Sequence, residues 1–214
     1  MAEITAQQVK ELRERSGAGM MECKSALKEA NGDLAEAEVV LRKRGIASAG
    51  KKSTRDANQG LIAQYIHPGG QLGVLIEVNC ESDFVARTDD FQDLCRDLAM
   101  HIAAANPEFI RKENVSEAAL AKEKDIQKAR AIHEGKPEKV AEKIVEGRMA
   151  KFYEEVCLYE QPYVKESTMT VEQIIKSKIA KLGENIVVAR FVRFKVGESS
   201  TAPVVASETT PPGQ

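Results

Sequence analysis

Hydrophobic positions near the start of the chain recur every three or four residues, in three short bursts separated by glycines. Val9 and Leu12 share one face of a segment from Ile4 to Arg15. Met20, Cys23 and Leu27 do the same between Met20 and Ala30, and Leu34, Ala37, Val40 and Leu41 form a third stripe that ends near Gly45. That period predicts three amphipathic helices. The polar residues mark their ends: Thr5 and Gln8 make a capping box, Asp33 caps the third helix with Glu36 three residues on, and Gly17-Ala18-Gly19 and Asn31-Gly32 supply the breaks. Helices this short persist only when packed on one another, so residues 1–45 are expected to form one three-helix domain.

The pattern then lapses. Residues 46–60 are rich in Gly, Ala, Ser, Lys and Asn without an apolar period, which reads as a linker at a domain boundary. Leu61 to His67 and Leu72 to Asn79 read as the two strands of a hairpin around Pro68-Gly69-Gly70. Helical spacing returns from Thr88 to Ala105 through Phe91, Leu94, Cys95, Leu98 and Ile102, and this helix is expected to cover one face of the sheet. Two charge-rich helices follow within residues 116–156, each with one narrow stripe: Leu120, Ile126, Ala129 and Ile132, then Val140, Ile144, Met149, Phe152 and Val156. Joined through Gly135-Lys136-Pro137, they read as a projecting hairpin suited to docking or oligomerisation. A helix from Thr170 to Leu182 and a β-branched strand from Ile186 to Val196 complete a core domain over residues 61–196. Residues 197–214, poor in large apolar groups, read as a disordered tail. The expected class is α+β: three helices, a linker, then a small antiparallel sheet covered by helices and carrying a helical hairpin.

Charge removes some functions. The 33 acidic residues nearly balance 31 basic ones and both signs are dispersed, so no basic face is expected for a nucleic acid. Aromatics are 5% of the chain and tryptophan is absent, which leaves few platforms for base stacking. The four cysteines and three histidines are scattered without ligand spacing, which predicts reduced thiols and no metal site. No stretch has the length and apolarity of a membrane span or a secretory signal. The expected location is the cytoplasm, or an organelle that makes the protein itself.

The stretch most charged with meaning runs from Leu72 to Val85, where a buried-strand pattern switches abruptly to Asn79, Glu81, Ser82 and Asp83 before Phe84. The strand thus delivers a carboxylate and an aromatic to an exposed corner, the candidate working end; the competing reading of the residues alone is that Asp83 caps a helix and Phe84 enters the core. Cys80 lacks an orienting base and acid for a thiol nucleophile, and Glu81 with Asp83 lacks any further catalytic partner. Gly17-Ala18-Gly19 lacks the spacing of a phosphate loop and reads as a turn between helices. Met20 and Met21 would suit a docking surface, with burial of one of them the competing reading.

Four ordered stretches resemble the elongation factor Ts family: Ala2-Glu-Ile-Thr through Leu-Arg-Glu-Arg-Ser-Gly-Ala-Gly-Met-Met-Glu-Cys-Lys; Glu77-Val-Asn-Cys-Glu-Ser-Asp-Phe-Val; Glu142-Lys-Ile-Val-Glu-Gly-Arg-Met; and Phe191-Val-Arg-Phe-Lys-Val-Gly-Glu. The resemblance implies a guanine-nucleotide exchange factor for elongation factor Tu, binding its GDP-bound and nucleotide-free forms, with no covalent chemistry and no cofactor. It implies that the three helices are a ubiquitin-associated-like (UBA-like) domain docking through Arg13, Met20 and Met21, and that Ser82, Asp83, Phe84 and Val85 are the intruding element. Ser82 stands where the family more often has threonine, which keeps the hydroxyl. Longer members carry two hairpin-and-helix units. This chain carries one, with Tyr65-x-His67 resembling the second unit, so His67 is a further expected contact and a homodimer or 2:2 complex the expected assembly. A UBA-like adaptor without exchange activity is the alternative.

Overall fold

The computed structural model describes residues 4–135 and 137–198. The expected tail from residue 199 onward therefore lies outside the described residues. Three helices open the chain, α1 (Ala6–Ser16), α2 (Met20–Glu29) and α3 (Leu34–Lys52). The Thr5 hydroxyl accepts from the Gln8 amide at 3.2 Å while Gln8 Oε1 accepts from the Thr5 amide at 3.0 Å, and Asp33 caps α3 through Glu36 N at 2.8 Å. Leu12, Cys23, Leu27 and Ala37 are fully buried between the helices, as their spacing predicts.

The third helix corrects one expectation. It does not stop near Gly45 but runs on to Lys52, through half of the expected linker. Ala49 is buried and continues the stripe with a side chain too small to register in a search for large apolar residues. Gly45 remains helical despite its low propensity because an added Cβ there would lie 3.0 Å from Ala180 Cβ, a separation that only glycine keeps comfortable. Just beyond the helix, Asn185 Nδ2 donates to the carbonyls of Arg55 at 2.7 Å and Ser53 at 3.4 Å.

Next come β1 (Gln59–Ile66), β2 (Leu72–Cys80), the single-turn α4 (Asp83–Ala86), α5 (Asp89–Ala105), α6 (Glu117–His133), α7 (Glu138–Val156), β3 (Pro162–Tyr163), β4 (Glu166–Thr170), α8 (Val171–Leu182) and β5 (Ile186–Lys195). The main sheet has the order β1-β2-β5, so the last strand joins the hairpin as expected. Val196 N bonds Gln71 O and Arg190 pairs with Glu77, so one index falls as the other rises and β5 runs antiparallel to β2. Val74, Ile76 and Val78 are buried on one face of β2, and Leu98 and Ile102 of α5 are likewise buried. The chain divides into two compact units, one of residues up to Leu61 with Asn79–Leu94 and Gln173–Val187, the other of Ile62–Val78, Cys95–Glu172 and the residues from Val188.

The α6–α7 hairpin departs from expectation in its facing. On α7 the stripe of Ile144, Met149, Phe152 and Val156 is turned inward, but Val140 is exposed. On α6, Ile126, Ala129 and Ile132 are exposed, and the seam runs instead through Leu120, Gln127 and Ala131. Ala131 is fully buried: a small side chain lets two charge-rich helices approach, where isoleucine would hold them apart.

The short β3–β4 ribbon was not apparent from the sequence, because a two-residue strand headed by proline has no periodicity. Buried His101 anchors it. Val164 N donates to His101 Nδ1 at 3.3 Å, and the other ring nitrogen lies 2.9 Å from Gln161 Oε1, which fixes a neutral ring with Nε2–H donating. Burial pushes the His101 pKa down, only partly opposed by the Gln161 bond. The unfolded chain therefore takes up a proton first. Stability is expected to be complete above about pH 6.5 and to fall progressively below it, toward the lower folded-state value. Urea midpoints measured between pH 7.5 and 5 check this, and His101→Gln should flatten that part of the profile.

Candidate partner-binding site

Where β2 ends, Cys80 is buried and the next four residues reverse the chain outward. The Ser82 hydroxyl accepts from Val85 N at 3.4 Å and so caps α4, the role that the sequence alone assigns to Asp83. Asp83 is instead the first residue of the helix, its carboxylate paired with Arg87 at 2.8 Å. Phe84 does not enter the core. It stands 79% exposed, while Val85 is half-buried and Ala86 buried beneath it. Leaving a phenylalanine in water forgoes about 1.5–3 kcal/mol of burial, so the turn holds an apolar group outward against its own tendency.

What holds it was not foreseen. Glu184, in the turn between α8 and β5, accepts from Ser82 N at 2.9 Å and Glu81 N at 3.1 Å with one oxygen, and from the Ser82 hydroxyl at 2.6 Å with the other. In return the Glu81 carboxylate accepts from Asn185 N at 2.6 Å. Burial, then the charge of Glu184, raise the Cys80 thiol pKa, so the neighbouring sulfur is kept as a thiol, the opposite of what a nucleophile needs.

The helical part of the same compact unit carries Arg13, exposed, with Met20 at 60% and Met21 at 76% exposure. Both methionines face outward, each one residue-face away from buried Cys23 and Leu27. The turn before them needs Gly17: its φ is +66°, and an added Cβ would meet the Lys181 stem at 2.8–3.3 Å. Lys181 and Lys178 from α8 both reach Asp90 at the start of α5, at 2.8 and 3.0 Å, and hold its carboxyl below the usual range.

In the other unit, His67 sits exposed beside the Gly69-Gly70 turn, with Tyr65 Oη 3.0 Å from its Nδ1. Nearby, the outer face of the sheet leaves Ile62, Ile66, Leu75, Phe194 and Val196 exposed. Among the described residues no three His, Cys, Asp or Glu side chains converge as metal ligands, and no helix is long and apolar enough to cross a membrane.

A family model described as "Elongation factor TS" matches residues 2–198, which takes in every element named above. The chain belongs to the elongation factor Ts family. It is 75% identical over 199 residues to elongation factor Ts of Solibacter usitatus, covering 93% of this chain and 94% of that one. It is 60% identical to the elongation factors Ts of Koribacter versatilis and Moorella thermoacetica over 195 residues, with 91% of this chain covered and 89% and 96% of theirs. Both the exposed methionines and the Asp83-Phe84 turn thus belong to an elongation factor Ts chain matched nearly end to end.

Proposed function

We propose that Phe84, presented at 79% exposure on a capped turn, is the group this elongation factor Ts chain inserts into its partner, with Ser82, Asp83 and Val85 completing the element. The chain is a guanine-nucleotide exchange factor for elongation factor Tu; the adaptor reading is not favoured. Exchange requires no bond to be made or broken. A factor that binds nucleotide-free Tu more tightly than Tu·GDP must, by linkage, weaken GDP binding by the same ratio. Phe84 wedges into the nucleotide domain and Asp83 engages donors displaced there, while Arg13, Met20 and Met21, on the helices of residues 1–45, dock the factor. The exposed sulfur-containing side chains adapt to an apolar surface at low cost. His67 adds a contact from the hairpin of the core, and the reaction takes place in the cytosol or a plastid stroma, where elongation proceeds. The direct test is release of labelled GDP from purified Tu. Addition of this chain should accelerate it strongly, and a folded sample without effect would overturn the reading.

The second copy of the chain is the proposed occupant of the apolar sheet face. Among the described residues the ion pair on that face is Arg190–Glu77 at 2.7 Å, neutral in itself, so the face selects no oppositely charged partner, and a two-fold copy would set apolar groups against apolar groups. A homodimer, and a 2:2 complex with Tu, would let two single-unit cores supply the contacts that two units supply in longer family members. Leu75→Glu, which sets a charge in the middle of that face, is expected to convert a dimer to a monomer on sizing columns with light-scattering detection. A wild-type chain that runs as a monomer both free and bound to Tu would remove this assembly.

A further inference from the structure

The geometry points to Glu184 as a positioning residue for exchange: its carboxylate, gripping Glu81 N, Ser82 N and the Ser82 hydroxyl, sets the angle at which Phe84 leaves the protein. The inference rests on the wedge role proposed for Phe84 and assigns that wedge its mount. Three donors converge on one carboxylate, at 2.9, 3.1 and 2.6 Å. Bonds from two backbone amides and a hydroxyl to an ionised acceptor are short and roughly twice as strong as neutral ones. The same Ser82 hydroxyl that donates to Glu184 accepts from Val85 N, so its lone pair is aimed at the helix only while its proton is engaged by the carboxylate. Glu184 thereby fixes the cap, the cap fixes α4, and α4 fixes Phe84. Asn185 closes the lock from the other side by donating to Glu81 Oε1 at 2.6 Å. Four single-turn residues cannot hold a helical turn by their own hydrogen bonds, because nucleation costs more than one bond returns. The mount must come from outside the turn, and Glu184 supplies it.

Glu184 touches no partner group in this assignment. It acts through Phe84. A residue of that kind lowers the maximal rate of stimulated release and leaves docking alone, because Arg13, Met20 and Met21 lie elsewhere. Glu184→Gln keeps the shape and removes the charge, and it is expected to reduce GDP release at saturating factor by about fivefold, the equivalent of the difference between one hydrogen bond to a charged acceptor and one to a neutral acceptor, with the half-saturating concentration changed less than about twofold. In a Phe84→Ala background the same change is expected to do nothing further. Amide exchange at Glu81 and Ser82 should speed up in Glu184→Gln while the amides of α1–α3 keep their protection. Ser82→Ala, which removes the shared hydroxyl, should lower the rate at saturating factor as Glu184→Gln does. This variant carries the test if Glu184→Gln folds poorly.

The outcomes separate. Loss of rate in Phe84→Ala together with full rate in Glu184→Gln or Ser82→Ala overturns the assignment of Glu184 and leaves the wedge standing. A Glu184→Gln effect that multiplies that of Phe84→Ala, or that appears only in the half-saturating concentration, also overturns it. Full rate in Phe84→Ala overturns the wedge and the mount together.

Discussion

Phe84→Ala slows the stimulated release of GDP from elongation factor Tu by about ten- to a hundredfold at saturating factor, the equivalent of the 1.5–3 kcal/mol that burying one phenylalanine contributes. The loss falls on the maximal rate because the side chain is 79% exposed in the free factor and gains burial only where it meets the partner. It costs the factor no stability, since no core contact is removed; a small gain is as compatible with the geometry. Arg13→Ala behaves differently. An exposed docking residue contributes to affinity for every state of Tu alike, so its removal raises the half-saturating concentration and spares the rate at saturation. Stopped-flow release of labelled GDP, titrated with each variant, separates the two. Unchanged release with Phe84→Ala would end the wedge proposal, and normal affinity of Arg13→Ala would remove Arg13 from the interface. A wedge of this size accounts for no more than about a hundredfold of acceleration.

The compact unit that carries α4 is held by contacts the sequence did not disclose. Residues 46–60 read as a linker because their apolar positions after Ile46 are alanines and glycines, which contribute through closeness, not through area. Only the fold shows Gly45 against Ala180, Lys181 laid over Gly17 and Asn185 capping the carbonyls after α3. All of these belong to the compact unit that also contains α4. Positions whose signal is local were legible: the period of Phe91, Leu94, Leu98 and Ile102, the Thr5–Gln8 box, the Pro68-Gly69-Gly70 turn. Those whose meaning depends on a distant partner were not. Glu184 lies 102 residues from Ser82, and nothing in a solvent-friendly glutamate beside a glycine announces three donors waiting for it. For Phe84 the switch from apolar strand to polar residues points to an exposed corner while residue type points to the core, and the structure exposes the ring. On α6 the pattern of large apolar residues points to a seam through Ile126 and Ile132, whereas close packing of two helices there selects Ala131 and turns both isoleucines outward.

Leu27→Ala is expected to destabilise the factor by about 3–4 kcal/mol, within the 2–5 kcal/mol typical of emptying a buried leucine site. Among the described residues the helical cluster has eight buried members, of which three are alanines and one a cysteine, so Leu12 and Leu27 are its largest side chains. Short neighbours cannot swing into the space left behind, which places the cost above the lower limit. Urea denaturation measures it directly. Met21→Ala, by contrast, removes a side chain 76% exposed and should shift stability by less than about 0.5 kcal/mol. The pair is informative because both lie on α2, six residues apart, one facing the core and the other the solvent. If the helices are the docking frame, both variants raise the half-saturating concentration for exchange on Tu, Met21→Ala through the lost contact and Leu27→Ala through the frame that presents it. At temperatures where Leu27→Ala is still folded its affinity should recover, and that of Met21→Ala should not. Equal loss of affinity by both at every temperature would mean that the surface of α2 depends on the cavity site in a way the fold does not explain, and an unaltered affinity in Met21→Ala would move the docking surface away from α2 altogether.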